Sequence, residues 1–240
     1  MLSCGEPSGD LYAGALTREL RALDPSIHVR GFGGPQFAAA GGELIADYRG
    51  LSVTGLTAPI AKLPRTYAVL RRMLASARRD RPAALIAIDF PDFNFWLARG
   101  MKRLGIPVVY YIGPQIWGWR GGRLKTMKKI ADRVIVIFPF EEKIYREAGV
   151  PVTFVGHPLI DLVTRGDKAE VLRRYGLSPG APTVAMLPGS RTNEVTRILP
   201  GLVGAAGRIR TSVPDAQLIV ARAPDLDDAL LDVARTPGLA

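Results

Sequence analysis

The chain has 240 residues and a formal charge of +10, with 48% hydrophobic and 22% charged residues. This balance is typical of a globular protein, and no apolar run approaches the ~20 residues that a membrane-spanning helix needs. The single cysteine, Cys4, excludes an internal disulfide, and the first residues lack the features of a secretory signal, so we expect a cytosolic protein. The positive charge favours a polyanionic partner, which could be nucleic acid, anionic lipid or a phosphorylated substrate.

Short apolar segments rich in β-branched residues alternate along the chain with segments of helical periodicity. The expected strands are Ile27–Phe32, Ala84–Ile88, Val108–Ile112, Val134–Phe138, Val152–Val155, Thr183–Leu187 and Leu218–Ala221. Several are continuously apolar, as parallel strands buried on both faces are. The alternation predicts βαβ units and a doubly wound α/β fold with a parallel sheet.

A break in this alternation is expected between residues 161 and 182, where glycine, proline and polar residues surround one short helical stretch. We therefore predict two domains, residues 1–165 and residues 166–240. The second contains two expected strands, too few to close a Rossmann-like domain. Met1–Cys4 is likewise shorter than a usual buried strand, so we expect the natural chain to extend beyond both ends.

A glycine-rich turn, Gly5-Glu6-Pro7-Ser8-Gly9-Asp10, precedes the first amphipathic segment. In open α/β sheets such loops lie at the carboxyl ends of strands, where ligands bind and helix amides attract anions. Ser8 and Asp10 are each explained as helix N-caps, and Ser8 is also a candidate for lining the cleft. Glu6 follows a buried strand directly, so we expect its carboxylate in the crevice.

A second candidate site follows the strand Ala84–Ile88, which continues as Asp89-Phe90-Pro91-Asp92-Phe93-Asn94. Partial desolvation raises the proton affinity of a carboxylate at a strand end, which suits a general base. Asp92 is better explained as the cap of the next helix, so Asp89 is preferred for chemistry. Asn94 is assigned to the lining of the cleft.

Aromatic residues follow the strand Val108–Ile112, in the segment Gly113-Pro114-Gln115-Ile116-Trp117-Gly118-Trp119-Arg120, and several cations come next. Aromatic side chains beside cations can stack on nucleobases, lie at a lipid interface or pack on a sugar ring, and local composition leaves all three open. Gln115 and Trp117 are candidates for lining the cleft. The basic stretches around residues 62–81 and 120–133 are equally well explained as solvated faces.

A fourth motif, Leu187-Pro188-Gly189-Ser190-Arg191, joins the strand Thr183–Leu187 to a helix expected from Asn193 to Ile209. Its backbone amides and the Arg191 guanidinium could hold a diphosphate, with Gly189, Ser190 and Arg191 as the contacts. The loop lacks the Gly-Lys-Ser/Thr ending of a Walker A motif.

The sequence does not indicate a metal or another cofactor. His28 and His157 are far apart in the chain, and His157 is interpreted as a turn residue, so no metal-ligand cluster is expected. Asp225 and Asp227 match a short metal–nucleotide pattern, but this pattern arises often by chance, and acids are favoured where a helix starts. We therefore expect no metal site.

Five segments in order resemble the lipid-A-disaccharide synthase family: SCGEPSGD, GFGGPQFAAAGGE, IDFPDFNFWLARGMKRLGIPVVYYIGPQIWGWR, FPFEEKIYREAGVPVTFVGHPLID and MLPGSRTNEV. The resemblance implies a GT-B fold, with an acceptor-binding domain first and the start of a UDP-sugar-binding domain after it. It implies that UDP-2,3-diacylglucosamine and 2,3-diacylglucosamine 1-phosphate (lipid X) condense to the β-1,6 disaccharide 1-phosphate and UDP. Glu6, Asp89 and Arg191 fall on functionally important positions of the family. Family members continue past Ala240, so we expect this fragment alone to be inactive.

This resemblance leads to an inverting mechanism in which Asp89 takes the proton of the acceptor's primary hydroxyl. Arg191 and the helix amides would stabilise the leaving diphosphate without a metal, and Glu6 would orient the acceptor or assist Asp89. The alternatives are another sugar-nucleotide enzyme, such as a UDP-sugar epimerase or a different transferase, and a basic nucleic-acid-binding protein. No recognised nucleic-acid module supports the last, so nucleic acid is not among the expected partners.

Both implied substrates carry two acyl chains, so the enzyme must come to a membrane. Apolar residues alternate with bases between Leu51 and Leu74, as is typical of a surface-seeking amphipathic segment. From Arg65 onward this helix is expected to face the core, which makes Thr54–Leu63 the insertion point. We predict peripheral association with the anionic cytoplasmic face of the inner membrane, and a homodimer is the assembly considered for the full-length protein. The predicted docking residues are Leu56, Ile60, Leu63 and Arg65.

Overall fold

The computed structural model describes residues 1–49, 59–114, 122–163, 166–224 and 226–235, without the side chains of residues 59–62 and 123. These residues form two compact units. The first comprises residues 1–49, 59–114 and 122–162, and the second comprises residue 163 and residues 166–224 and 226–235. Across the described residues, no helix combines the length and the apolar character needed to cross a bilayer.

The first unit is built on a sheet of seven parallel strands in the order β3-β2-β1-β4-β5-β6-β7. The strands are β1 (Leu2–Ser3), β2 (Arg30–Gly33), β3 (Glu43–Asp47), β4 (Leu85–Ile88), β5 (Val108–Tyr111), β6 (Arg133–Val136) and β7 (Val152–Phe154). The parallel α/β sheet predicted from the apolar segments is confirmed. Strand β2 begins later than expected, because the N–H of Ile27 bonds to the carbonyl of Asp24 in a turn.

Strand β3 was not expected, and β1 is shorter than the buried strand expected before the glycine-rich turn. Strand β1 has only two residues, yet Leu2 lies opposite both Gly31 of β2 and Ile86 of β4. Strand β3 carries Glu43 and Asp47 at its ends, which interrupts the apolar pattern. Both strands are defined by hydrogen bonds to neighbouring strands, so their own sequences show little of the apolar pattern that predicts a strand.

Helices cover both faces of the sheet. They are α1 (Pro7–Leu23), α2 (Pro35–Ala39), α3 (Pro59–Asp80), α4 (Pro91–Arg103), α5 (Gly122–Ile130), α6 (Pro139–Glu147) and α7 (Leu159–Leu162). Five of them, α1, α2, α3, α4 and α6, begin with proline, whose fixed φ suits the first turn of a helix.

The sheet separates two hydrophobic cores. One contains Ala13 of α1 and Phe37 of α2, and the other contains side chains of α3, α4, α5 and α6. Alternate residues of β4 divide between them, because successive strand side chains point to opposite faces. Helices α1 and α2 therefore lie on one face, and α3 to α6 lie on the other.

The second unit contains one strand–helix–strand motif. Strand β8 (Thr183–Met186) pairs in parallel with β9 (Gln217–Val220), close to the expected limits of both strands. The helices are α8 (Lys168–Arg174), α9 (Thr192–Ser212) and a 3-10 helix (Asp228–Arg235). Val195 and Leu199 of α9 form a small core with Leu226 and Leu231.

The direction of winding reverses between the central strands β1 and β4. After β1 the chain moves through α1 to β2 on one side, and after β4 it moves through α4 to β5 on the other. Open α/β sheets bind ligands at this reversal, outside the carboxyl ends of the strands. The fold therefore directs attention to the loops that follow Ser3 and Ile88.

Candidate active site

The carboxyl ends of β1 and β4 bring the first two candidate carboxylates to the same edge of the sheet. Ser3 lies opposite Ala87, so Glu6 and Asp89 follow neighbouring strands at the winding reversal. The two loops also touch: a Cβ on Gly5 would lie 2.2 Å from Cδ1 of Phe90. Because glycine has no Cβ, the loop that carries Glu6 can pack directly against the loop that carries Asp89.

Asp89 has an uncommon backbone conformation. Its φ is 42° and that of Phe90 is 47°, in the left-handed region that residues other than glycine rarely adopt. The Asp89 N–H donates to the carbonyl of Tyr111 at 3.1 Å, and the Asp89 carbonyl accepts from Asn94 Nδ2 at 2.7 Å and from the Tyr110 hydroxyl at 2.8 Å. Because all three bonds use the main chain, they fix the turn. Backbone strain of this kind is concentrated at functional sites.

Asn94 lies beneath this turn and has no exposed surface. Its Nδ2 also donates to the carbonyl of Ile88 at 3.2 Å, and its Oδ1 accepts from Ser3 Oγ at 2.6 Å. Asn94 therefore does not line the cleft as expected, because its amide is buried and its hydrogen bonds go to groups in the protein interior. Asn94 joins β1 to the β4 turn and is a positioning residue.

The polar residues at the start of α1 do not have the capping roles that were expected of Ser8 and Asp10. Glu6, and neither Ser8 nor Asp10, occupies the N-cap position of α1, without a capping hydrogen bond from its side chain. Ser8 is exposed on the first turn. Asp10 is 1% exposed and accepts three backbone N–H groups at the start of α2, at 2.8 to 3.1 Å. Asp10 therefore caps the neighbouring helix, while Glu6 and Ser8 remain at the carboxyl edge of the sheet.

Tyr12 and Tyr111 adjoin Asp89 and were not selected from the sequence. Burial and the nearby Asp89 carboxylate raise the pKa of the Tyr12 hydroxyl. Burial and the nearby Tyr12 raise the pKa of Tyr111. One signal could have identified Tyr12: it lies in the helix that begins at the glycine-rich turn, on the second turn after Glu6.

His157 also reaches this edge, from the loop after β7. Its Nδ1 accepts the N–H of Leu159 at 3.2 Å, which agrees with its interpretation as a turn residue. Its ring meets the ring of Tyr12 edge-on at a centroid distance of 6.5 Å, and it lies 5.6 Å from the ring of Phe138. His157 therefore packs with Tyr12 and Phe138 in a group of aromatic rings near Asp89.

In the loop between β8 and α9, the side chain of Glu194 occupies the place predicted for a diphosphate. The Glu194 carboxylate accepts the N–H of Ser190 at 3.0 Å, the N–H of Arg191 at 3.2 Å and Nη1 of Arg191 at 3.0 Å. These bonds, led by that from Ser190, hold the pKa of Glu194 below its usual value. Gly189, with a φ of 120°, leaves room for Glu194, since a Cβ there would lie 2.6 Å from the Cβ of Glu194. A bound phosphate would have to displace this carboxylate or bind beside it.

Several candidates fall outside the described residues: Leu56, Gln115, Trp117, Asp225 and the side chain of Ile60. Leu63 is 60% exposed, and Arg65 is exposed as well. Asp227 accepts the N–H of Ala229 at 3.0 Å, so it stabilises the start of the 3-10 helix as expected for an acid there. Among the described residues, no group of three or more His, Cys, Asp or Glu side chains is arranged to hold a metal ion.

Comparison with known sequences points to one family. The family model described as "Lipid-A-disaccharide synthetase" matches residues 1–236. The "Lipid-A-disaccharide synthase" of Myxococcus xanthus (strain DK1622) is 44% identical over 228 residues, which cover 95% of this chain and 60% of the relative. That of Geobacter sulfurreducens is 43% identical over 233 residues, with coverages of 95% and 60%. The chain thus spans about 60% of the length of these relatives.

Solved structures of low sequence identity share the fold. The "S. aureus MnaA-UDP co-structure" has a TM-score of 0.68 at 11% identity and covers 100% of this chain and 65% of that chain. The UDP-GlcNAc 2-epimerase from Neisseria meningitidis bound to UDP-GlcNAc has a TM-score of 0.63 at 9% identity, with coverages of 98% and 68%. CalG4, the calicheamicin glycosyltransferase, has a TM-score of 0.52 at 16% identity, with coverages of 96% and 66%. The fold is therefore of the GT-B type.

Proposed function

The chain belongs to the lipid-A-disaccharide synthase family, and from this premise we propose that the protein is an inverting glycosyltransferase of lipid A biosynthesis. The proposed substrates are UDP-2,3-diacylglucosamine and lipid X, and the products are the β-1,6 disaccharide 1-phosphate and UDP. The observation that best supports this proposal is the placement of Glu6 and Asp89 on neighbouring strand ends at the winding reversal. Such an edge is where an α/β sheet holds a ligand.

Asp89 is proposed to be the general base. It takes the proton of the acceptor's primary hydroxyl while that oxygen attacks the anomeric carbon of the donor from the side opposite UDP. The bond between the anomeric carbon and the diphosphate oxygen breaks, its electron pair leaves with UDP, and the configuration inverts. The fixed turn around Asp89 supports this role, because a base that is already positioned avoids the entropic cost of ordering it during the reaction.

Glu6 is proposed to orient the acceptor or to assist Asp89, since it lies at the same edge. Ser8, Gln115 and Trp117 are proposed to line the acceptor side of the cleft. The aromatic rings of Tyr12 and His157 adjoin the same edge. An apolar wall here would exclude water from Asp89 and strengthen its interaction with the hydroxyl proton.

The donor diphosphate is proposed to bind at the start of α9, through Gly189, Ser190 and Arg191. The guanidinium of Arg191 would exchange its contact with Glu194 for a charge-assisted contact with phosphate. The positive end of α9 adds to the attraction of the diphosphate. We propose that these groups stabilise the departing UDP without a metal or another cofactor.

Residues 1–165 are proposed as the acceptor-binding domain, and residues 166–240 as the first part of the UDP-sugar-binding domain. The protein is proposed to be cytoplasmic and to dock on the inner face of the inner membrane through Leu56, Ile60, Leu63 and Arg65. The exposure of Leu63 supports this docking, because an exposed leucine beside an exposed arginine suits a membrane surface. A homodimer is proposed for the full-length protein.

The direct test uses the complete product of the gene that encodes this chain. Incubation with both acylated substrates is expected to release UDP and form the disaccharide in equal amounts, measured by coupled UDP detection and mass spectrometry. Substrates without acyl chains serve as the control and are expected to react far more slowly. Release of UDP without a disaccharide, or an epimerised sugar, would contradict the proposed reaction.

A further inference from the structure

A basic groove runs between α4 and α5, on the outer side of these helices. Two adjoining cavities of about 500 Å³ and 360 Å³ share Arg99 and Thr126 and together form it. Phe95 and Trp96 line the wider end. The cationic residues that line the groove are Arg99, Lys102, Arg103, Lys125 and Lys129. We call this feature the α4–α5 groove.

The five cations of the α4–α5 groove outnumber the acids beside them, which in the described part of the chain are Asp92 in its lining and Asp132 at its edge. Lys102 pairs with Asp132 at 2.6 Å, and Asp132 is also engaged by the N–H of Val108 at 2.7 Å. Within the described parts of the chain, Arg103, Lys125 and Lys129 belong to no ion pair. Cations gathered in a concave surface concentrate their field there, so the groove attracts an anion of more than one charge, or several anions.

Exposed apolar side chains lie on the same face of the sheet as the groove, and one of them, Trp96, lines it. Trp96 on α4 is 61% exposed, and the Arg99 guanidinium carbon lies 5.3 Å from the centroid of its ring. On the neighbouring α3, Leu63 and Tyr67 are 60% and 61% exposed. The two helices are in contact, because the Leu74 side chain lies where a Cβ on Gly100 would be, 2.5 Å away.

This combination indicates the class of ligand. Tryptophan and tyrosine favour the boundary between hydrocarbon and water, and arginine and lysine beside them meet lipid phosphates. The exposed leucine favours lipid over nucleic acid, since it gains nothing from contact with a phosphate backbone. The face that carries α3, α4 and α5 therefore has the composition of a surface that rests among lipid headgroups.

We propose that the α4–α5 groove binds the phosphate headgroups of anionic phospholipids at the bilayer surface. This inference rests on the membrane docking proposed above and adds a headgroup site to the apolar insertion segment. Arg99 and Arg103 present guanidinium groups one helical turn apart, and each can bind two phosphate oxygens at once. The groove would hold the protein against the leaflet while the loops after β1 and β4 receive acylated substrates.

The test compares two arginine pairs in vesicle binding by the 240-residue chain. The first variant is Arg99→Gln with Arg103→Gln in α4. The control is Arg18→Gln with Arg21→Gln in α1, on the opposite face of the sheet. Both variants lose two arginines from one helix and the same net charge. Vesicles of equal parts phosphatidylglycerol and phosphatidylcholine report binding to anionic lipid, and vesicles of phosphatidylcholine alone report binding to neutral lipid.

Each base near an anionic leaflet strengthens binding roughly fivefold. The α4 pair is therefore expected to weaken binding to anionic vesicles about 25-fold, and the α1 pair by no more than about threefold, at unchanged thermal midpoints. Arg103→Gln alone is the milder variant if the pair perturbs folding, with an expected loss of about fivefold. Binding to neutral vesicles is expected to be weak in every case.

Equal weakening by both pairs would show only general attraction to a basic protein and would overturn the groove. Wild-type binding by the α4 pair would also overturn it, while leaving membrane docking intact. If the wild-type chain binds no vesicles at all, the docking proposal itself fails. Loss of affinity for a DNA duplex in the α4 pair, with vesicle binding preserved, would reassign the groove to nucleic acid.

Discussion

At the scale of single residues, main-chain bonds fix the turn that carries Asp89, the proposed general base. Asn94 and Tyr110 both donate to its carbonyl, and Asn94 is held in turn by Ser3. None of these bonds uses the Asp89 carboxylate. The support of the turn and the proposed proton transfer are therefore separable, and substitution can test one without disturbing the other.

Asp89→Asn in the complete enzyme is expected to lower turnover by about 100-fold or more, since loss of a general base typically has that effect. Its stability should barely change, because asparagine adopts the left-handed conformation readily and the main-chain bonds persist. Steady-state kinetics with both acylated substrates and thermal unfolding measure the two quantities.

Asp92→Asn is the matched control for this substitution. Asp92 is exposed in the first turn of α4, where a carboxylate interacts with the positive end of the helix. Its loss is expected to cost about 0.5 kcal/mol of stability and little activity. Near-normal turnover in Asp89→Asn would remove Asp89 from the mechanism, whatever Asp92→Asn does.

At the scale of elements, the free N–H groups at the start of α9 donate hydrogen bonds to a carboxylate of the same helix. Glu194 lies in the first turn of α9, and its side chain returns to the amides of Ser190 and Arg191 that no helical carbonyl can satisfy. The same amides were predicted to donate hydrogen bonds to a diphosphate. Both uses follow from the same property, a cluster of N–H donors with a positive dipole behind it.

Glu194→Gln is expected to destabilise the second unit by about 0.5 to 1 kcal/mol at neutral pH, the usual size of a capping contact. Because the folded-state pKa of Glu194 lies below its unfolded value, its contribution is fully present above the unfolded pKa. It is lost as the pH falls through the folded pKa. Urea unfolding of both proteins between neutral pH and the acid limb should therefore converge at low pH.

Glu170→Gln serves as the control, because Glu170 also lies in a first helical turn of the second unit, and its carboxylate forms an exposed pair with Arg174 at 3.7 Å. Such pairs contribute little to stability. A difference for Glu194→Gln that does not shrink on acidification would contradict the proposed contribution of its charge.

At the scale of the whole molecule, the two faces of the seven-stranded sheet carry different surfaces. The face with α3, α4 and α5 presents exposed Leu63, Tyr67 and Trp96 together with the α4–α5 groove. The opposite face carries α1 and α2. The proposed acylated substrates would require one side of the protein to approach the leaflet, and the face with the groove has the composition that suits this.

Replacement of Leu56, Ile60 and Leu63 by serine is expected to reduce cosedimentation with anionic vesicles at an unchanged thermal midpoint. Apolar side chains in a docking segment contribute to binding by entering the apolar layer, and the exposed Leu63 contributes little to the folded core. Added salt should release the wild-type chain only in part, since the apolar contribution does not depend on ionic strength.

Leu23→Ser is the control, because Leu23 ends α1 on the opposite face and is 84% exposed. It should sediment with vesicles as the wild type does. Unaltered vesicle binding by the serine variant, or its gross unfolding, would place the three residues in the core and remove them from the docking surface.

The sequence alone determined the parallel α/β sheet and two of its strand-end carboxylates, because continuous apolar strands and the loops after them are local patterns. It indicated a strand before Gly5 but not its limits, since a two-residue strand is defined by hydrogen bonds with neighbours on both sides. It did not identify β3, whose charged ends interrupt the apolar pattern. Tertiary structure decided the roles of Asp10, Asn94 and Glu194. Asn94 bonds to Ser3, 91 residues away, and Asp10 caps a helix other than its own. A side chain's partner depends on which distant backbone groups the fold brings beside it, and residue type and spacing do not contain that information.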